Sequence, residues 1–197
     1  AAFAEFWVYS FIPWVVVGIV TGYRTSTLTG LIFLQACGHP IVLAQSLVCE
    51  LVAPFCLSRH SLPELARRRT IANTAEALRK ARAAGVKIGY VRVGFSPDYR
   101  ECPPNSRIFQ GAKKAGLFKF GTWGTEVHPA LAPQPGDFDI IKHRVSPFYA
   151  TTLEAILRAN RIERLYVCGV STSGAVLSAA KDGHDRDYEI FVLEDCC

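Results

Sequence analysis

The stretch CGVSTSGAVLSAAKDG, residues 168–183, places small polar residues between an apolar run and a helical pattern. A turn from strand into helix aims backbone N–H groups and a helix N-terminus at one point, and such a point stabilises a developing oxyanion. The side chains available there are the hydroxyls of Ser171, Thr172 and Ser173 and the methyl of Ala175. GVSTSG is a near miss of the G-x-S-x-G nucleophile turn, yet serines so placed more often cap the helix that follows. Lys142 and His143, in FDIIKH, put a cation and a titratable ring at the end of another apolar run. His128, in EVHPAL, has no second histidine or carboxylate at metal-ligand spacing, so it reads as a hydrogen-bonded loop residue. Trp123, Phe148 and Tyr149 could line a pocket, and aromatic packing in a core is the competing use of such rings.

These groups need a frame, and the runs on either side of them supply one. PIVLAQSLVCEL, VKIGYVRVGF, FDIIKHRV, ERLYVCGV and YEIFVLED are five apolar stretches suited to central strands. Between the first two, Ile71, Ala75, Leu78 and Ala81 recur at helical spacing before Gly85. TTLEAILRANRI carries Thr151 and Glu154 at the spacing of a capping box ahead of Leu153, Ile156 and Leu157. A further helix is expected from about Gly174 to Gly183. Residues 96–137 are rich in Pro, Gly and aromatic side chains and predict a long loop with one short helix. Strands that are apolar on both faces and alternate with helices predict a three-layer α/β/α domain with a mainly parallel, Rossmann-like sheet. Sheets of that kind bind ligands at the carboxyl ends of their strands.

Composition narrows the alternatives. A chain of 197 residues with 50% hydrophobic content is long enough for one substantial core. The net charge of +5 comes from scattered basic residues with no interleaved aromatic pattern, which argues against nucleic-acid binding. Of the seven cysteines, Cys37, Cys49 and Cys168 sit inside apolar runs, and none has metal-ligand spacing; small buried thiols in a reducing, cytoplasmic setting are expected, with no metal or other cofactor. Cys196 and Cys197, at the end of the sequence, are expected to be exposed. Residues 1–39 form a hydrophobic extension, and residues 40–197 form the domain. Within the extension, residues 6–23 are uncharged and would cover ~27 Å as a helix, close to a bilayer core, so membrane association is the alternative expectation. Pro13, the many β-branched residues and the lack of a preceding basic segment favour a buried strand pair or a non-native start.

The stretches TWGTEVHPALAPQPGD, KHRVSPFYATTLEAILRANRIERLYVCGVSTSGAVLSAAKDG and DYEIFVLEDCC, in that order, resemble the isochorismatase-like hydrolases. This is a superfamily of cysteine amidohydrolases that includes relatives of nicotinamidase and N-carbamoylsarcosine amidase. The resemblance covers about residues 40–197, with no counterpart of that family's helix after the last strand. It implies a small amide, carbamoyl or vinyl-ether substrate, a homo-oligomer, and a site of Asp, Lys and Cys at three strand ends. It also implies a cis peptide before Ser171. Carried over residue by residue, the Lys is Lys142, whereas the Asp position falls on Ser46 and the Cys position on Ala175. A methyl group forms no acyl-enzyme, and a serine hydroxyl is no substitute for a carboxylate base near neutral pH. Glu50, four residues on, would lie beyond the strand's active end. Two readings follow: a hydrolase relying on Lys142 and the turn's N–H groups, with Trp123, Phe148, Tyr149, Ser171 and Thr172 around the substrate, or a non-catalytic domain that binds a small ligand or serves as an interaction subunit.

Overall fold

Residues 39–45 and 61–197 are described by the structure, a computed structural model. Five strands, β1 His39–Gln45, β2 Lys87–Val93, β3 Phe138–Lys142, β4 Ile162–Gly169 and β5 Glu189–Val192, make one sheet in the order β3-β2-β1-β4-β5, and every pairing is parallel. Ile41, Val42 and Leu43 in β1 and Leu165, Val167 and Cys168 in β4 are all fully buried, so the centre of the sheet is covered on both faces. The helices are α1 Ser61–Arg67, α2 Thr70–Ala83, α3 Arg107–Lys114, α4 Leu153–Ala159 and α5 Leu177–His184. With right-handed crossovers, α2, between β1 and β2, covers one face. The chain then reverses direction across the sheet, and α4 and α5 cover the other. The expected three-layer parallel architecture is therefore present.

Strand order fixes where a ligand crevice forms. From β1 the chain moves outward through β2 and β3, then returns to place β4 on the other side of β1. The reversal between β1 and β4 is the topological switch point, outside whose carboxyl ends open sheets bind ligands. Gln45, the last residue of β1, is paired with Gly169, the last of β4.

The long connection after β2 folds on a satellite core of its own. Val93, Phe95, Tyr99, Phe109, Ala112 and Phe118 pack together, and the Phe95 N–H donates to the Phe118 carbonyl at 2.7 Å. This connection holds α3 and two short 3-10 turns, at Trp123–Thr125 and Pro129–Leu131. Gly94 is needed at the exit from β2, because a Cβ there would lie 2.2 Å from the Phe120 ring.

Several expectations need correction. Thr151 and Glu154 form no capping box: the Thr151 hydroxyl accepts from the Leu153 N–H at 3.1 Å, while Glu154 turns away to Arg158 and Arg186. An arginine partner at each end outcompetes one backbone N–H for that carboxylate. Cys196 and Cys197 are buried rather than exposed, because the chain after β5 folds back over the end of β4. The membrane association expected through residues 6–23 is withdrawn: among the described residues no helix is long and apolar enough to cross a membrane. Residues 6–23 themselves, with Cys37, Ser46, Cys49 and Glu50, lie outside the described residues.

Gly94→Ala is expected to lower stability by about 1–3 kcal/mol in urea denaturation, since the Phe120 ring has to leave its seat. Gly111→Ala in α3, where a Cβ meets nothing within 4 Å, is the control. It should be neutral or stabilising by up to ~1 kcal/mol.

Candidate functional site

Lys142 closes β3, where strand alternation turns its side chain into the protein instead of towards water, and it is only 3% exposed. Its Nζ donates to the Val145 carbonyl at 2.8 Å, and it has no carboxylate partner among the described residues. Burial pushes the ammonium down from 10.5 to about 8. An ammonium out of water with one neutral acceptor is held at a cost, and proteins retain such groups mainly at working sites.

The loop that follows is tied to the helix on the far side of the switch point. The Ser146 hydroxyl donates to the Asp182 carboxylate of α5 and accepts from the Phe148 N–H at 3.1 Å. Phe148 is buried; its ring stacks on Tyr188 and lies beneath the Arg186 guanidinium. In this way the segment that receives the Lys142 amine is fastened to the same helix that begins at the turn after β4. Three strand spacings of about 4.8 Å separate the axes of β3 and β4, so it is this loop, and not sheet adjacency, that links Lys142 to the turn.

In that turn the chain leaves β4 at Gly169, whose φ of 114° is the left-handed region open to glycine. The Val170–Ser171 peptide is cis, as the resemblance implies. Residues Thr172–Val176 form a single π-helical turn before α5, not the expected start of an α-helix at Gly174. Ser171 holds the cap position with its backbone: its carbonyl accepts from the Gly174 and Val176 N–H groups at 3.3 and 3.1 Å, while its hydroxyl caps nothing. Ser171, Thr172 and Ser173 are exposed and Ala175 is buried.

The remaining expected residues fall in different environments. Trp123 is 64% exposed and Tyr149 62%, both on loops after the carboxyl ends of strands. The Trp123 turn is pinned to the sheet by Arg92, whose guanidinium donates to the Thr125 carbonyl at 2.8 Å and pairs with Asp139. Phe148 serves the packing just described. His128 accepts the Ala130 N–H through Nδ1, the loop role its surroundings in the sequence suggest. Ser46 lies outside the described residues. Among the described residues no group of His, Cys, Asp and Glu could hold a metal ion.

Sequence reasoning missed the Val145 carbonyl and the Ser146–Asp182 link, whose partners are 36 residues apart with no spacing signal to join them. It also missed the neighbouring loop contacts, where the Gly94 carbonyl lies 2.6 Å from His143 Nδ1 and Glu101 binds the Ser96 hydroxyl and N–H.

The lowered Lys142 value has a measurable consequence. Between about pH 8 and 10.5 the unfolded chain holds a proton that the folded one has lost, so stability rises with pH across that window. The full span amounts to about 3 kcal/mol. Urea denaturation of the wild type should show this rise relative to Lys142→Met, and parallel curves for the two proteins would show that the amine is solvated.

The isochorismatase domain model matches residues 45–197. Ureidoacrylate amidohydrolase RutB of Methylorubrum extorquens is 36% identical over 137 residues, 64% of this chain and 55% of that protein. The same-named protein of Agrobacterium fabrum is 36% identical over 138 residues, covering 64% and 60%. The chain thus spans little more than half the length of these relatives. Among solved structures, N-carbamoylsarcosine amidase from Thermoplasma acidophilum superposes with a TM-score of 0.66 at 28% identity, covering 80% of this chain and 83% of that one. An isochorismatase family protein from Desulfovibrio vulgaris gives 0.71 at 25% identity, covering 82% of each. With the match extending through the sheet, the Lys142 loop and the turn after β4, this chain belongs to the isochorismatase domain family.

Proposed function

We propose that the domain binds a small amide or carbamoyl compound at the carboxyl edge of its sheet, where Lys142 holds the ligand's negative charge, and that it does so without a covalent thiol step. The observation that carries this reading is the buried Lys142 amine, retained with no carboxylate partner among the described residues. A desolvated cation of that kind interacts with an anionic ligand far more strongly than one in water. Relatives named as a ureidoacrylate amidohydrolase and an N-carbamoylsarcosine amidase support the ligand class.

The chemistry at the other positions favours binding over family-type turnover. Hydrolysis through an acyl-enzyme needs a nucleophile in the turn, and residue 175 is alanine. The resemblance puts the base at Ser46, whose hydroxyl does not take a proton near neutral pH. Nor does a nearby thiol substitute, because burial pushes Cys168 well above its ordinary range and leaves it fully enclosed.

Calorimetric titration of the full chain with ureidoacrylate and N-carbamoylsarcosine tests the reading. Saturable binding of at least one is expected, weakened about 10-fold or more in Lys142→Met by loss of a charged hydrogen bond. Absence of binding to both would overturn it, as would hydrolysis abolished by iodoacetamide at Cys168. The double variant Ser46→Asp with Ala175→Cys should label rapidly with iodoacetamide below pH 7, and each single variant slowly, because base and nucleophile act together. A folded double variant whose new thiol titrates near the ordinary ~8.5 would mean that residues 46, 142 and 175 share no site.

A further inference from the structure

We infer that the lobe formed by the connection after β2 is an electrostatic funnel, which draws small carboxylates and other small anions to the Lys142 side of the sheet's carboxyl edge. The inference rests on the reading above for the ligand's charge and adds how that ligand arrives.

The lobe's position follows from its contacts. Gly94 donates its N–H to the Lys142 carbonyl at 3.2 Å, and its own carbonyl lies 2.6 Å from Nδ1 of His143. Phe95 is bridged to Lys119, and the rings of Phe95 and Phe120 pack on His143 with centroids 5.8 and 6.3 Å away. Phe95 also meets Phe109 of α3 edge-on at 5.4 Å. Helix α3 is therefore two ring contacts from the residue beside Lys142. Arg144 adds a bond from Nη1 to the Glu101 carbonyl at 2.8 Å.

That lobe carries an excess of positive charge. Residues 94–125 hold five cations, Arg100, Arg107, Lys113, Lys114 and Lys119, against two anions, Asp98 and Glu101. The excess of three is most of the +5 carried by all 197 residues. Asp98 is spent on Arg100. Arg107, Lys113 and Lys114 are exposed and form no ion pair among the described residues, and Lys119 lies over the Tyr99 ring at 5.8 Å. Charges outside the lobe give the field a direction. Lys142 and Arg144 follow it with no carboxylate partner among the described residues, and residues 170–176 of the turn after β4 are uncharged. Glu126, just past the Trp123 turn, lies in the field of Arg92, while Glu194 and Asp195 follow β5 at the opposite end of the sheet.

Range decides whether such charges act together. A packed unit of 32 residues has a radius of gyration of about 8 Å, shorter than the Debye length of about 10 Å at 0.1 M salt and about 30 Å at 0.01 M. Basic residues that are scattered in the sequence thus sum to one field in the fold, and a long-range field acts on an anion without contact.

Trp123, 64% exposed at this edge, reports the local anion concentration. Trp7→Phe with Trp14→Phe leaves it as the single indole of the full chain. Its quenching by iodide relative to acrylamide should then exceed that of N-acetyltryptophanamide at least ~2-fold at about 0.02 M ionic strength, as a potential of about one kT requires. The excess should vanish in about 1 M potassium chloride. Lys113→Gln with Lys114→Gln should remove part of it and Lys113→Glu with Lys114→Glu all of it, with circular dichroism confirming that both fold. In stopped-flow mixing with ureidoacrylate, followed by Trp123 emission, the glutamate pair should slow association about 10-fold and leave dissociation within about 2-fold. No iodide excess at low salt would overturn the inference even where ureidoacrylate binds. An effect of the glutamate pair on dissociation instead of association would overturn it too, since the two lysines would then be touching the ligand. An iodide excess that depends on Lys113 and Lys114, in a protein that binds neither carbamoyl compound, would uphold the funnel and reject the earlier reading.

Discussion

The ammonium of Lys142 is taken out of water and given one backbone carbonyl in exchange. That contact dictates much of the carboxyl edge. For Val145 to present its carbonyl, the chain must fold back immediately after β3, which brings Ser146 to Asp182 and seats Phe148 against Tyr188 and Arg186. The hydrophobic burial of that ring stabilises the loop, and the loop in turn holds the carbonyl against the amine. A costly charge and a favourable aromatic contact are thus linked through the short segment between them.

The sheet was legible because its signal is redundant. Each strand is an apolar run of β-branched residues, and alternation with helical patterns leaves few topologies once crossovers are right-handed. Ile41 to Leu43 and Leu165 to Cys168 read as central strands, and they are the middle of the sheet. What failed was local and competitive. Thr151 and Glu154 have the spacing of a capping box, but Arg158 and Arg186 offer the carboxylate stronger partners, and one of them arrives from 32 residues away. Cys196 and Cys197 end the sequence, yet the segment carrying them packs under the end of β4, which a chain position cannot reveal. For the site, Lys142 and the turn after β4 could be found from their flanking stretches. The Val145 carbonyl could not, since backbone acceptors leave no trace in residue types.

Lysine burial and the turn depend on side chains to different degrees. The turn after β4 is built from backbone: Gly169 supplies a positive φ, the Ser171 carbonyl accepts two N–H groups, and Gly174 makes room for the Ser171 hydroxyl, which would lie 2.7 Å from a Cβ. None of these requires a particular side chain at residue 175. Ala175 is buried there and contributes only a methyl group. The turn therefore holds its shape with alanine at that position. Lys142 differs, because its removal leaves the Val145 carbonyl without its donor. A buried ammonium is a cost to the fold that a well-packed apolar residue of similar volume would not carry. One neutral carbonyl offsets only part of that cost, so the buried charge of Lys142 is better accounted for by the proposed ligand than by the loop it helps to hold.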